Sequence, residues 1–269
     1  MKRLGMAFIG LLSMPLVVTP AAAQDSFKQE LTLGVQAYKE AKYNEAMRHF
    51  QIAAALEPQN EVAHLYLGNV IAQQYIPGVE SSQNLRLGEA AISEYKAVLE
   101  INPQSDTALK NIAYLYLQMK RFDDAKSHYR KAIDLNPKDP ETYFSVGVIN
   151  WTSAYAPRMK MREKLGVKPD EPLPVTFSGC WELRDSNLAA VQEGMEMLTK
   201  ALELRPDYDD AMAYMNLLYR ERAEIQCNDP ESRSADLEAA DHWVDLTMEA
   251  KKRKSEKAAR KDENSTAPR

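Results

Sequence analysis

Asp106-Thr-Ala-Leu109, Ile112-Ala113, Tyr116, Phe122, Ala125, Tyr129, Ala132-Ile133 and Pro137 mark out the stretch from Asp106 to Asp139 that decides how the rest is read. Small and large apolar residues fall at the offsets of two short helices, and a proline closes the second. The pattern recurs. Pro103 lies 34 residues before Pro137, with Tyr95 and Leu99 ahead of it. Ala46, Phe50, Ala53 and Pro58 repeat the Ala-x3-aromatic-x2-Ala-x4-Pro spacing, and Ala201-Leu202 with Pro206 carry its second half. In each unit a first helix (A) places a small residue, Gly34, Gly68, Ala113 or Gly147, where the second helix (B) must approach. Phe50, Tyr95 and Tyr129 are expected to fill the space between units. One such hairpin cannot bury its apolar face alone, so several must stack.

This 34-residue pattern resembles the tetratricopeptide repeat, over nearly all of the chain after residue 25. The resemblance implies an all-α, right-handed superhelical solenoid of antiparallel helix pairs. About five repeats are expected, near residues 27–60, 61–105, 106–139, 140–208 and 209–250. It is specific for fold and says little about function.

Residues 1–23 read as a secretory signal peptide. Lys2 and Arg3 precede an apolar run from Leu4 to Val18, and Ala21-Ala22-Ala23 offers a cleavage site before Gln24. The mature protein is then expected to start at Gln24, in the periplasm or outside the cell, with no membrane span. The solenoid occupies 24–250, and 251–269 form a charged tail. That tail has eight basic and three acidic residues, so with Lys2 and Arg3 set aside the body between carries −12. An acidic body argues against nucleic acid as the partner.

The chain in order adds detail. Ser26 and Gln29 have capping-box spacing, which predicts a helix start at Ser26. The register then slips by 11 residues, and Tyr75 to Arg86 is expected as a loop containing Ile76-Pro77-Gly78. Asp139-Pro140 predicts the start of the next A helix. Its B partner, Asn187 to Leu204, arrives 35 residues late, leaving an insertion over 152–186 with a basic helical piece, Arg158 to Leu165, ended by Gly166. A third insertion, Ile225 to Ser234, precedes a B helix holding Ala239 and Trp243. All three fall at the A-to-B turn, so in a solenoid they decorate one rim.

Chemistry-bearing groups are sparse. His49, His64, His128 and His242 lack ligand spacing, so neither metal nor cofactor is expected. No nucleophile elbow, phosphate loop or dinucleotide fingerprint occurs, and the chain reads as a non-enzyme. Two cysteines in an exported chain favour one disulfide, and Cys180 and Cys227 lie in neighbouring insertions of the same rim; free or intermolecular thiols are the alternative.

The resemblance implies that A helices line the concave face. On its register the candidate binding residues are Tyr38, Asn69, Gln73, Lys110, Tyr114, Gln118, Phe144 and Trp151. Aromatics with interspersed amides suit an extended peptide or a partner helix. The chaperone-binding branch of the family grips a terminal carboxylate with Lys, Asn and Arg at places that here hold Leu31, Val35, Tyr66, Thr107 and Asn111. The resemblance therefore implies no carboxylate clamp. The functional expectation is a protein–protein adaptor of the cell envelope. The rival is a small-ligand or glycan module with the 152–186 insertion as a lid, which predicts a closed pocket near Trp151 and Trp181.

Overall fold

The computed structural model describes residues 20–168 and 171–266, with side-chain surroundings for 24–168 and 171–260. The expected leader lies outside the described residues as far as residue 19. Ten helices follow one another among the described residues: α1 (Pro20–Lys39), α2 (Tyr43–Leu56), α3 (Glu61–Ala72), α4 (Ser82–Ile101), α5 (Asp106–Gln118), α6 (Phe122–Leu135), α7 (Pro140–Leu165), α8 (Cys180–Leu204), α9 (Asp209–Glu224) and α10 (Pro230–Thr266). Each odd-numbered helix packs most extensively on the even one after it, and each even one on the next odd one. This is the nearest-neighbour stacking of a solenoid.

Local chemistry accounts for most helix ends. The side chains of Asn60, Ser105 and Asp139 accept from backbone N–H groups of the first turns of α3, α5 and α7. In the two short A-to-B turns a single non-glycine residue takes the left-handed conformation, Ala41 at φ 57° and Lys120 at φ 59°. The small residues are needed where expected, but the pressure comes from the same repeat. A Cβ on Gly34 would sit 2.5 Å from the Phe50 ring, and one on Gly68 would sit 2.7 Å from Tyr95. Phe50 also reaches the next unit, its ring centroid 5.4 Å from that of Tyr66.

Four expectations need correction, all about helix ends; one is the last insertion, which is only 225–229 because α10 starts at Pro230 and not after Ser234. Helix α1 starts before Ser26, which is therefore interior and no N-cap; the alanines at 21–23 are strong helix formers and carry the helix further back. Helix α4 starts at Ser82, capped by Ser81, so the loop of repeat two is only 73–81. The insertion of repeat four is mostly helical. Helix α7 runs straight through Pro157 to a left-handed cap at Gly166, and α8 begins at Cys180, not Asn187. Proline removes a hydrogen bond from α7, but the segment beyond it packs Met161 and Leu165 into a core shared with α8 and α9. Packing overrides the local break.

The B-to-A edge is stitched by side chains reaching from one A helix to the turn before the next. Asn102 donates to Glu61 at 2.9 Å, Lys110 to Asp139 at 3.1 Å, and Arg205 to Glu141 at 2.6 Å. Asp139 also accepts from Thr142 Oγ1 at 2.7 Å and the Glu141 N–H at 3.1 Å. Burial would raise its pKa, but the bonds from Thr142, Lys110 and the Glu141 N–H outweigh burial and hold it below the ordinary aspartate value. A depressed native pKa contributes stability that is present above the unfolded pKa and lost as pH falls through the folded one. Asp139→Ala is therefore expected to cost about 1–2 kcal/mol at neutral pH. The gap between wild type and variant should close as the pH drops below about 4, the ordinary aspartate range. Urea titrations of both proteins from neutral to acid pH check this; a gap independent of pH would rule it out.

Helix α10 continues past Ala250, and Lys254 pairs with Asp209 at the start of α9. Residues 251–260 are otherwise exposed.

Candidate partner-binding cleft

Side chains of α3 and α5, with Tyr38 of α1 and Tyr95 of α4, enclose an open cleft of about 330 Å³. Its lining includes Tyr38, Asn69, Gln73, Tyr114 and Gln118, five of the eight residues nominated from sequence, together with Ala72, Tyr75, Pro77, Tyr95, Asn111 and Leu115. Helical geometry explains the grouping. Asn69 on α3 and Gln73 at its C-cap are one turn apart, as are Tyr114 and Gln118 on α5, so each pair shares a face. The cleft continues at Tyr38 and Asn69 into a second hollow of about 300 Å³, lined also by Val35, Lys39, Phe50 and Tyr66. At Tyr75 and Gln118 it opens onto a third hollow on the rim, where Val79, Leu85 and Met119 meet Glu80 and Lys120.

Tyr114 is 53% exposed, so its ring stands clear of the core formed by Ile112, Ala113 and Tyr116. Asn69 sits in the floor. Its Oδ1 accepts from Tyr95 Oη at 2.8 Å and from Asn111 Nδ2 at 3.2 Å. Burial, and secondarily the neighbouring Tyr38, push the Tyr95 phenol well above the ordinary tyrosine range, so it remains a donor. With two donors on Oδ1, the Asn69 amide is fixed with Nδ2 left to donate elsewhere.

The remaining nominated residues lie elsewhere. Lys110 is held between Asp106 at 2.6 Å and Asp139 at 3.1 Å. Phe144 and Trp151 belong to a run of ring contacts between α7 and α9. Phe144 lies 5.0 Å from Tyr208 and 5.4 Å from Tyr214, and Trp151 lies 5.5 Å from Tyr214. The register placed them on an A helix correctly, but α9 packs over them.

Sequence reasoning missed Tyr75 and Pro77, assigned to a loop, and Tyr95, assigned to the space between units. It weighed Asn111 only as a departure from the carboxylate clamp. The Asn69 to Asn111 spacing across two A helices was the available signal.

The repeat-four insertion does not cover this cleft, and none of the lining residues comes from it. It docks on α9 instead, through charges buried with their partners. Arg158 Nε donates to both oxygens of Glu221, at 2.8 and 2.9 Å. Arg162 donates to Glu224 at 3.2 Å and to the carbonyls of Lys168 and Glu171, while Glu224 also accepts from the Leu173 N–H at 3.0 Å. Cys180 and Cys227 form a disulfide with Cα atoms 5.7 Å apart. Trp181 is 58% exposed beside it, so the closed pocket expected of a lid is not formed there. Among the described residues, no group of three or more His, Cys, Asp or Glu could hold a metal, and no helix is long and apolar enough to cross a membrane.

The geometry defines a class first: an all-helical repeat scaffold with an open cleft on its A helices. Comparison with known proteins gives the family. The tetratricopeptide repeat model matches residues 107–139. Tetratricopeptide repeat protein 13 of Homo sapiens is 25% identical over 202 residues, which is 74% of this chain and 22% of that protein. Protein O-mannosyl-transferase TMTC1 of Homo sapiens is 29% identical over 132 residues, 47% of this chain and 14% of that protein. The chain thus spans at most about a fifth of these relatives' length. A crystal structure of MamA superposes with a TM-score of 0.59 at 14% identity, covering 87% of this chain and 96% of that one. PilF of Pseudomonas aeruginosa gives 0.51 at 16% identity, covering 85% and 78%. At such identities the likeness is one of fold. The chain carries a tetratricopeptide repeat at 107–139 and has the fold of a tetratricopeptide repeat solenoid.

Proposed function

We propose that this protein is an exported interaction scaffold of the cell envelope that holds a peptide or partner helix in the cleft of its first three repeats. The observation that carries the reading is the open cleft itself, where tyrosines and amides from successive A helices converge. Proteins of this repeat class act through protein partners, and aromatic anchors dominate the energies of such contacts. The disulfide fits an oxidising compartment, and the leader-like residues 1–23 support export. On this reading 24–250 is the working array and 251–269 a charged extension.

Tyr114→Ala tests it. Because the ring is largely exposed, the melting temperature should barely move, while partner affinity should fall by about 2 kcal/mol or more. Partners are to be captured by crosslinking in intact cells, identified by mass spectrometry, and compared between the two proteins. A core position would instead cost roughly 3–5 kcal/mol of stability. Unchanged capture would remove the cleft from the mechanism.

A further inference from the structure

Not one of the eleven residues lining the central cleft carries a charge. In a chain that is 27% charged, about three would be expected. Charged residues line the adjoining hollows or are already paired. Lys39 lines the hollow beyond Tyr38, Glu80 and Lys120 line the one on the rim, and Lys110 is held by Asp106 and Asp139. A charged ligand side chain packed against these residues would find no counterion to offset the water it gives up. A chain-terminal carboxylate finds no cation there to grip it.

The polar groups that remain suit a peptide backbone. Asn69 Nδ2 is left as a donor by the two bonds on its Oδ1, and Asn111, having used one N–H on Asn69, retains Oδ1 as an acceptor. A donor and an acceptor offered by two joined amides on α3 and α5 suit the alternating C=O and N–H of an extended chain, whose backbone groups must be satisfied when covered. A helical ligand satisfies its own backbone and has no use for them. Successive helices lie roughly 10 Å apart, so the path from Tyr38 to Tyr114 takes about six extended residues.

We infer that the cleft takes an extended, internal peptide segment with uncharged side chains and reads it through its backbone. The inference rests on the proposed role of the cleft and narrows it to one ligand class.

The test pans a phage-displayed library of random short peptides against the full protein and against Asn69→Asp and Tyr114→Ala. On the wild type, Asp, Glu, Lys and Arg should be depleted relative to the input. Synthetic copies should bind equally with a free or amidated C-terminus and insensitively to salt. Methylating the central backbone nitrogens should weaken them about tenfold or more. Asn69→Asp should fold, since both groups bonded to Oδ1 are donors, and should shift the selection towards Lys- and Arg-bearing peptides. Enrichment of charged peptides, loss of binding on amidation, or indifference to backbone methylation would overturn the inference. If such peptides are lost on Tyr114→Ala, the cleft still binds and only the ligand class is wrong. Binding that ignores Tyr114→Ala, or no enrichment at all, would overturn both readings.

Discussion

Glu224→Ala is expected to destabilise the last two repeats by about 3–5 kcal/mol, the usual result of stripping one partner from a buried ion pair. Glu224 is 9% exposed and Arg162 is 4% exposed. Removing the carboxylate leaves the Arg162 guanidinium without its counterion, and Arg233, 3.8 Å from the same oxygen, loses its partner too. The Leu173 N–H loses its acceptor in the same step. Glu224→Gln keeps an acceptor for Leu173 and only loses charge, so it should cost less, about 1–3 kcal/mol. Urea unfolding ranks the three proteins. Proteolysis between α7 and α8 should rise in the same order, because Lys168, Glu171 and Leu173 are tied down by Arg162 and Glu224. Equal stability of wild type and Glu224→Ala would show that the pair contributes nothing.

The second large effect belongs to the disulfide. The Cys180–Cys227 link closes 47 residues and ties the start of α8 to the turn after α9. Chain entropy sets its contribution at no more than ~4 kcal/mol, so replacing both cysteines by serine should cost about 2–4 kcal/mol. Peptide mapping without reductant should recover the linked pair. The two cysteines are 5% and 7% exposed, and alkylation of both in the native, unreduced protein would refute the bond. The disulfide and the Glu224 cluster hold the same segment on the same helix, so their losses should not add. Combined with the serine pair, Glu224→Ala should cost less than the sum. Once the segment has come away from α9, the second tie has little left to hold. Additive losses would mean that the two devices act on separate units.

Short-range chemistry explains what was legible without coordinates. Asn60 and Asp139 announce helix starts because a cap acts on backbone two residues away, and Pro58, Pro103 and Pro137 mark the ends of B helices for equally local reasons. The resemblance's register put Tyr38, Asn69, Gln73, Tyr114 and Gln118 on A helices, and helical spacing then lets Asn69 share a face with Gln73 and Tyr114 with Gln118. The disulfide pairing was legible for a related reason. Once insertions recur at one turn of a stacked array, they must meet on one rim.

Only the tertiary structure decided the rest. The sequence predicts an insertion from 152, yet α7 continues through Pro157, with Arg158 and Arg162 received by Glu221 and Glu224 some 60 residues on. Phe144 and Trp151 occupy groove positions by register, yet Tyr208 and Tyr214 pack against their rings. Asn69 is one amide among many until Tyr95 and Asn111 fix its orientation from two other helices. Caps and periodicity spend their free energy within a turn or two of the chain. Whether a helix outlasts a proline, or an aromatic faces solvent, turns on contacts between residues far apart in sequence, and those form only when the repeats stack.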